Sequence, residues 1–215
     1  ITESTFNPQI AIDILKVYAP KKGIVYDPFA GGGTRAIMTC KYGLGYVGVE
    51  LRKEEADSVV EKARQCGVAD DDLLIITGDS RHVPELKTAS MDFLITCPPY
   101  YNLEEYHGGE NDLSMAPTYQ AYLDMINDVI AECKRIMKPG AICCWVVGLH
   151  RDKDDAELLP INHDIATDHR LQGYKMKEEV ILSITGQGLE KRVGMFEKGH
   201  HLLIRSHEYL LVFER

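Results

Sequence analysis

Seven short apolar runs constrain this chain more than any other feature. "GIVYDPF" (23–29), "GYVGVE" (45–50), "LLIITGD" (73–79), "FLITC" (93–97) and "AICCWVVG" (141–148) are partly β-branched and too short for buried helices. Helix-period segments lie between them at 34–42, 52–66 and 118–137, the last opening at "APTYQAYLDMINDVI" and stopping at "KPG". This alternation predicts an α/β fold, a mostly parallel seven-stranded sheet with helices on both faces. The runs "EEVILSI" (178–184) and "EYLLVFER" (208–215) complete the seven. No helical pattern precedes the final run, so the last strand is expected antiparallel. Ligands of such sheets bind beyond the carboxyl ends of the strands.

Residues of chemical interest sit at those ends. "DPFAGGGT" (27–34) follows the first strand and opens a helix, and its glycines let backbone turn sharply and approach a ligand. It lacks the Gly-Lys-Ser/Thr ending of a triphosphate-binding loop. Glu50 ends the second strand, where a carboxylate can grasp ribose hydroxyls. Asp79, in "TGDS", ends the third and can accept from an adenine amino group. Each acid alone is an ordinary solvated strand end. Three such elements at successive strand ends describe a pocket for an adenosine-bearing cofactor with no pyrophosphate to neutralise.

The fourth strand end reads "TCPPYY" (96–101). Together, "DPFAGGGT", "VGVE", "TGDS" and "TCPPYY" resemble S-adenosylmethionine-dependent amino-methyltransferases, which methylate adenine N6 or cytosine N4 in DNA. The resemblance runs from about Phe6 to the C-terminal strand, and "CPPYYNLEEY" and "VVGLHRDK" look especially like methylases of phages and prophages. It implies a Rossmann-like class I methyltransferase fold over a single domain, 1–215, and S-adenosyl-L-methionine as cofactor. The cofactor residues it implies are Phe6, Asn7, Asp27, Pro28, Phe29, Ala30, Gly31, Gly33, Thr34, Glu50, Leu51, Asp79 and Ser80. The catalytic set is Cys97, Pro98, Pro99 and Tyr100. In this family the first motif side chain and the first proline's carbonyl accept hydrogen bonds from the target amine, and the aromatic ring stacks on a base taken out of the duplex. The prolines have fixed φ and no N–H, so the carbonyl points one way. Cys97 departs from the family's Asp, Asn or Ser, and a thiol is the weaker acceptor. The motif order corresponds to the family's gamma arrangement, with target-reading elements after the catalytic motif.

Two stretches qualify for that reading, 101–117 and 185–207. Tyr101 lies in the first, and Lys191, Arg192, Lys198 and Arg205 lie in the second. A basic loop can bind phosphate although the whole chain carries a net charge of −9. The expected partner is DNA, flipped or single-stranded, with a homodimer as a further arrangement. Two alternatives stay open: an RNA methyltransferase of the same fold, and a non-catalytic subunit suggested by Cys97 and the acidic charge.

Composition sets the remaining bounds. The 215 residues suit one domain, and 45% hydrophobic with 27% charged residues reads as a soluble globular protein. No apolar run approaches the roughly 20 residues of a membrane span, and the resemblance implies a cytoplasmic setting, bacterial or in a phage-infected host cell. The six cysteines show no CxxC pairing and read as reduced thiols. His200, His201 and His207 lack metal-ligand spacing, so no metal is expected. The acidic "RDKDDAE" (151–157) reads as a solvated loop.

Overall fold

The computed structural model describes residues 6–103, 108–154, 157–183 and 206–215. Its central sheet contains β1 (Ile24–Asp27), β2 (Gly45–Glu50), β3 (Leu73–Thr77), β4 (Met91–Thr96), β5 (Met137–Val147), β8 (Lys175–Ser183) and β9 (His207–Glu214). Their spatial order is β3-β2-β1-β4-β5-β9-β8. The first five pair in parallel, and β9 runs antiparallel to both β5 and β8. The expected reversal of the last strand is therefore present, and β9 is inserted between its neighbours. β6 (His150–Arg151) and β7 (Leu158–Leu159) form a separate two-stranded ribbon that holds part of the acidic stretch.

Period-two alternation divides the sheet into two apolar faces. On β4, Leu94 faces one way while Phe93 and Ile95 face the other; on β5, Trp145 opposes Cys144 and Val146. Helices α4 (Tyr119–Ile136) and α5 (Ile161–Leu171) cover the Leu94 side. Helices α1 (Pro8–Tyr18), α2 (Thr34–Tyr42) and α3 (Lys53–Gln65) cover the other. Among the described residues, no helix is long and apolar enough to cross a membrane.

The expected helices 34–42, 52–66 and 118–137 coincide closely with α2, α3 and α4. Helix α5 was not expected. Its buried stripe is Ile161, Ile165 and His169, and the histidine conceals the apolar spacing. His169 is fully buried and stacks on Phe213 at 3.9 Å with a 4° interplanar angle. Burial pushes its imidazole down to about 3, so it packs as a neutral aromatic ring. Strand β5 also begins earlier than expected, taking in "KPG", with Gly140 at φ +78.

Asp27, at the end of β1, joins the elements around the sheet's carboxyl edge and has no exposed surface. Its Oδ1 accepts from Phe29 N (3.0 Å) and Thr96 Oγ1 (2.7 Å). Its Oδ2 accepts from Arg35 Nε (2.6 Å) and Tyr46 OH (2.8 Å). A carboxylate has about four lone-pair sites, and these four donors use them. The loop, α2, β2 and β4 thus meet at one charge, balanced by the buried Arg35 guanidinium. Asp27→Asn would leave that cation without its counter-charge and turn an amide N–H₂ toward existing donors. The expected loss of stability is about 3–5 kcal/mol, read by urea denaturation. A loss below about 1 kcal/mol would deny Asp27 this structural role.

Candidate active site

The glycine loop is shaped by two residues with positive φ, Gly31 (+51) and Gly33 (+88). A Cβ on Gly33 would also lie 3.2 Å from Val59 Cγ1, where the loop enters α2. Ala30 N donates to Val49 O at 2.8 Å, fixing the loop to β2. Glu50, ending β2, accepts from Gly31 N (3.1 Å) and Arg52 N (3.0 Å). Burial pushes its carboxyl above the ordinary glutamate range, against the pull of those hydrogen bonds. A carboxylate already facing a loop amide repels an anionic group there, so the loop suits a ligand without pyrophosphate.

Asp79 lies past β3. Its carboxylate accepts from Arg81 N (2.9 Å) and from the Arg81 side chain, Nε at 3.0 Å and a terminal nitrogen at 2.5 Å. Burial opposes its charge, but Arg81 prevails and holds its pKa below the usual carboxylate range. Arg81 reaches on to Asn111 Oδ1 at 2.7 Å. Asp112, buried beside Asn111, accepts from Gly108 N (3.0 Å), Ser114 N (3.0 Å) and Ser114 Oγ (2.6 Å). A Cβ on Gly108 would come 2.6 Å from Leu51 Cδ2. Gly108, Asn111, Asp112 and Leu113 are therefore part of the cavity wall.

The catalytic-motif candidates continue from β4. Tyr122 OH donates to Pro99 O at 3.0 Å, anchoring the proline pair to α4. Gly148 N donates to Tyr100 OH at 2.8 Å, and that hydroxyl lies 3.7 Å from Cys97 Sγ. The Tyr100 ring tilts against His150 at 5.6 Å. Burial pushes the Cys97 thiol up to about 11, although the nearby Arg35 charge pulls the other way. The thiol is thus neutral near pH 7.

One cavity of about 360 Å³, within the roughly 300–1,000 Å³ range of small-molecule sites, unites these parts. Phe6, Asn7, Pro28, Phe29, Ala30, Gly31, Gly33, Thr34, Glu50, Leu51, Asp79, Ser80, Cys97, Pro98, Pro99 and Tyr100 all line it. Asn7 serves twice, since its Oδ1 also caps α1 by accepting from Gln9 N at 2.9 Å. Two expected residues stand elsewhere. Asp27 lies beneath the loop, its oxygens committed to internal donors. Tyr101, expected at nucleic acid, is buried among Tyr119 and Tyr122, and its carbonyl lies 2.6 Å from His150 Nε2. The Pro99 carbonyl two residues earlier is held by Tyr122 of the same cluster. Lys191, Arg192, Lys198 and Arg205 fall outside the described residues. Among the described residues, no group of three or more His, Cys, Asp or Glu is arranged to hold a metal.

The sequence reading did not include Arg35, Arg52, Asn111, Ser183 or Glu208, which also line the cavity. Arg35 carried the clearest signal, as a charge in the first turn of α2 beside the apolar Ala36 and Ile37. Its guanidinium lies 4.9 Å from the Phe6 ring centroid.

A family model described as DNA methylase matches residues 91–215, more than half the chain. Among curated proteins, the chain is 22% identical over 155 residues to the type II beta methyltransferase M.BslI of Bacillus sp. (strain NEB-606). That match covers 66% of this chain and 16% of the relative, so the chain spans about a sixth of its length. The beta designation belongs to that protein and differs from the gamma motif order read in this sequence. Among solved structures, a SAM-dependent methyltransferase from Methanosarcina mazei superposes with a TM-score of 0.65 at 12% identity, covering 94% of this chain and 96% of that one. TrmN from Thermus thermophilus gives 0.67 at 14% identity, covering 99% and 50%. At such identities, the likeness establishes the fold.

The half-buried thiol of Cys97 yields a direct test. With a pKa of about 11, Cys97 is roughly one part in a thousand thiolate at pH 8, and the thiolate is the reactive form. Iodoacetamide at pH 8 should modify the exposed Cys66 well before Cys97, and Cys97 labelling should keep rising toward pH 11. Mass spectrometry of the peptides reads both rates. Cys97 labelling as fast as Cys66 would contradict the site's electrostatics.

Proposed function

Because this chain belongs to the DNA methylase family, we propose that it transfers a methyl group from S-adenosylmethionine to the exocyclic amino group of adenine (N6) or cytosine (N4) in DNA. The observation that carries this reading is the shared cavity: loop, strand-end acids and proline motif open into one space. Bound there, the cofactor supplies an electrophilic methyl on a sulfonium.

The residues present fit that group. Gly31 and Gly33 leave the loop free of side chains where the cofactor would approach, and Glu50 faces the same space. Glu50 would hold the ribose hydroxyls, and Asp79, held in place by Arg81, would accept from the adenine amine. Ser80, Leu51 and Phe29 would complete the adenosine wall, and Phe6 and Asn7 would hold the methionine end. Cys97 Sγ and the Pro98 carbonyl accept the target amine's two hydrogens, favouring a tetrahedral nitrogen with its lone pair toward the methyl. Tyr100, pinned through its hydroxyl to Gly148, offers a fixed ring for the extracted base. Lys191, Arg192, Lys198 and Arg205 contact DNA phosphates. The domain 1–215 acts as one methyltransferase unit. Positioning and electrostatics carry the rate, with no covalent enzyme–base step.

Incubation with labelled S-adenosylmethionine and defined DNA and RNA, followed by nucleoside mass spectrometry, tests the reaction. N6-methyladenine or N4-methylcytosine in DNA is the expected product, and label confined to RNA would overturn the reading. Glu50→Ala should weaken cofactor binding about tenfold or more, through loss of roughly 1.5–3 kcal/mol of charged hydrogen bonding. Calorimetry showing unchanged affinity would remove Glu50 from the ribose.

Cys97→Ser should retain turnover or raise it, because a hydroxyl is a better acceptor of nearly the same volume. Cys97→Ala should lower it by about tenfold to a hundredfold, with cofactor affinity little changed. A serine variant that folds, binds cofactor and is inert would exclude a purely assisting role.

A further inference from the structure

Methylation of an amino nitrogen needs a destination for one proton, and the motif side chains offer none. As the nitrogen lone pair forms the new N–C bond, the S–C electron pair stays on sulfur. The nitrogen then carries a positive charge until one N–H proton leaves. Cys97 is a neutral thiol, and burial keeps the Tyr100 phenol protonated. The Pro98 carbonyl can accept a hydrogen bond without keeping the proton. From the juxtaposition of Cys97, Tyr100 and Glu208 around the bare backbone of Gly148, we infer that Glu208 is a catalytic residue, the carboxylate that takes this proton and passes it to water. This inference rests on the amino-methyltransferase reading above.

Sheet register puts Glu208 in place. Phe93 and Ile95 on β4, Cys144 and Val146 on β5, and Leu210 and Val212 on β9 share one face of the sheet. Two residues beyond Ile95 on that face is Cys97. Two beyond Val146 is Gly148, and two before Leu210 is Glu208. Val147 pairs with Tyr209 at the end of the ladder, and Gly148 and Glu208 are the next residues along that register. Because β9 is reversed, its amino end lies at the sheet edge where the parallel strands end. Gly148 provides the opening between them. A Cβ there would lie 3.1 Å from Tyr100 OH and 3.4 Å from Glu208 Oε1, so both oxygens converge on space that any other residue would fill. Glu208 lines the cavity with Cys97, Pro98 and Tyr100. Its negative charge also contributes to the raised pKa of both the thiol and the phenol.

The test uses the full chain with Glu208→Gln and Glu208→Asp. For one DNA substrate at saturating S-adenosylmethionine, E208Q should lower kcat by about a hundredfold or more, the usual contribution of a positioned base. Cofactor Kd should stay within about twofold, and E208D should recover part of the turnover. In cofactor-free protein at pH 8, E208Q should speed iodoacetamide labelling of Cys97 several-fold, because removing a nearby negative charge favours the thiolate. Full turnover in E208Q, or a loss confined to cofactor affinity, overturns the proton-acceptor role while the methyltransferase reading stands. If the wild type methylates no DNA, the reaction assigned above fails instead. The labelling comparison still decides whether the Glu208 charge faces Cys97, and an unchanged rate refutes it.

Discussion

The buried carboxylate of Asp27 is the constraint on which the active face depends. A lone buried charge would be costly, and here Arg35 balances it while three further donors fill its remaining acceptor sites. Those donors belong to the start of the glycine loop, to β2 and to β4. Thr96, one of them, immediately precedes Cys97. The loop and the proline motif, 69 residues apart in the chain, are therefore positioned against the same two oxygens. Small errors in either would leave a buried polar group unpaired, so the arrangement specifies one geometry. The cavity above inherits that precision without Asp27 touching its contents.

Around this centre, acids and arginines alternate. Arg52 adjoins Glu50 and Glu55, and Arg81 clasps Asp79. An acidic chain thus presents a cavity whose strand-end carboxylates are individually balanced. The balance differs in kind from site to site. At Asp79 the arginine overcomes burial and keeps the acid strong, whereas at Glu50 burial prevails and weakens it. The two carboxylates assigned to one adenosine therefore offer acceptors of unequal basicity.

Much of this was legible in the sequence because it is local. Strand runs, the helices with clear spacing and the glycine loop are each encoded within about twenty consecutive residues. What escaped is encoded by contact across the fold. Helix α5 was hidden because its third apolar position is a histidine, made aromatic filler by Phe213. Tyr101 was read as a nucleic-acid contact, yet its ring packs into a cluster with Tyr119 and Tyr122. Glu208 sits in a run that reads as an ordinary closing strand. Its place beside Cys97 follows from the reversal of β9 and from a glycine about sixty residues earlier, which no local pattern announces. The segment 108–113 gave no signal as cavity wall because its contacts with Leu51 and Arg81 join distant parts of the chain.

The insertion of β9 between β5 and β8 has a further consequence for how such a protein can diversify. Ser183 and His207 are paired partners, so the chain leaves the sheet and returns to it at one clamped point on the cavity's edge. With both ends already held by the ladder, lengthening the connection costs only loop-closure entropy, about 0.6 kcal/mol for each doubling. The Asp27 centre lies across β4 and β5 from this point, whereas Ser183 and Glu208 stand beside it at the cavity. A change made at this point would therefore reach the cavity through Ser183 and Glu208 while leaving the four donors of Asp27 in place.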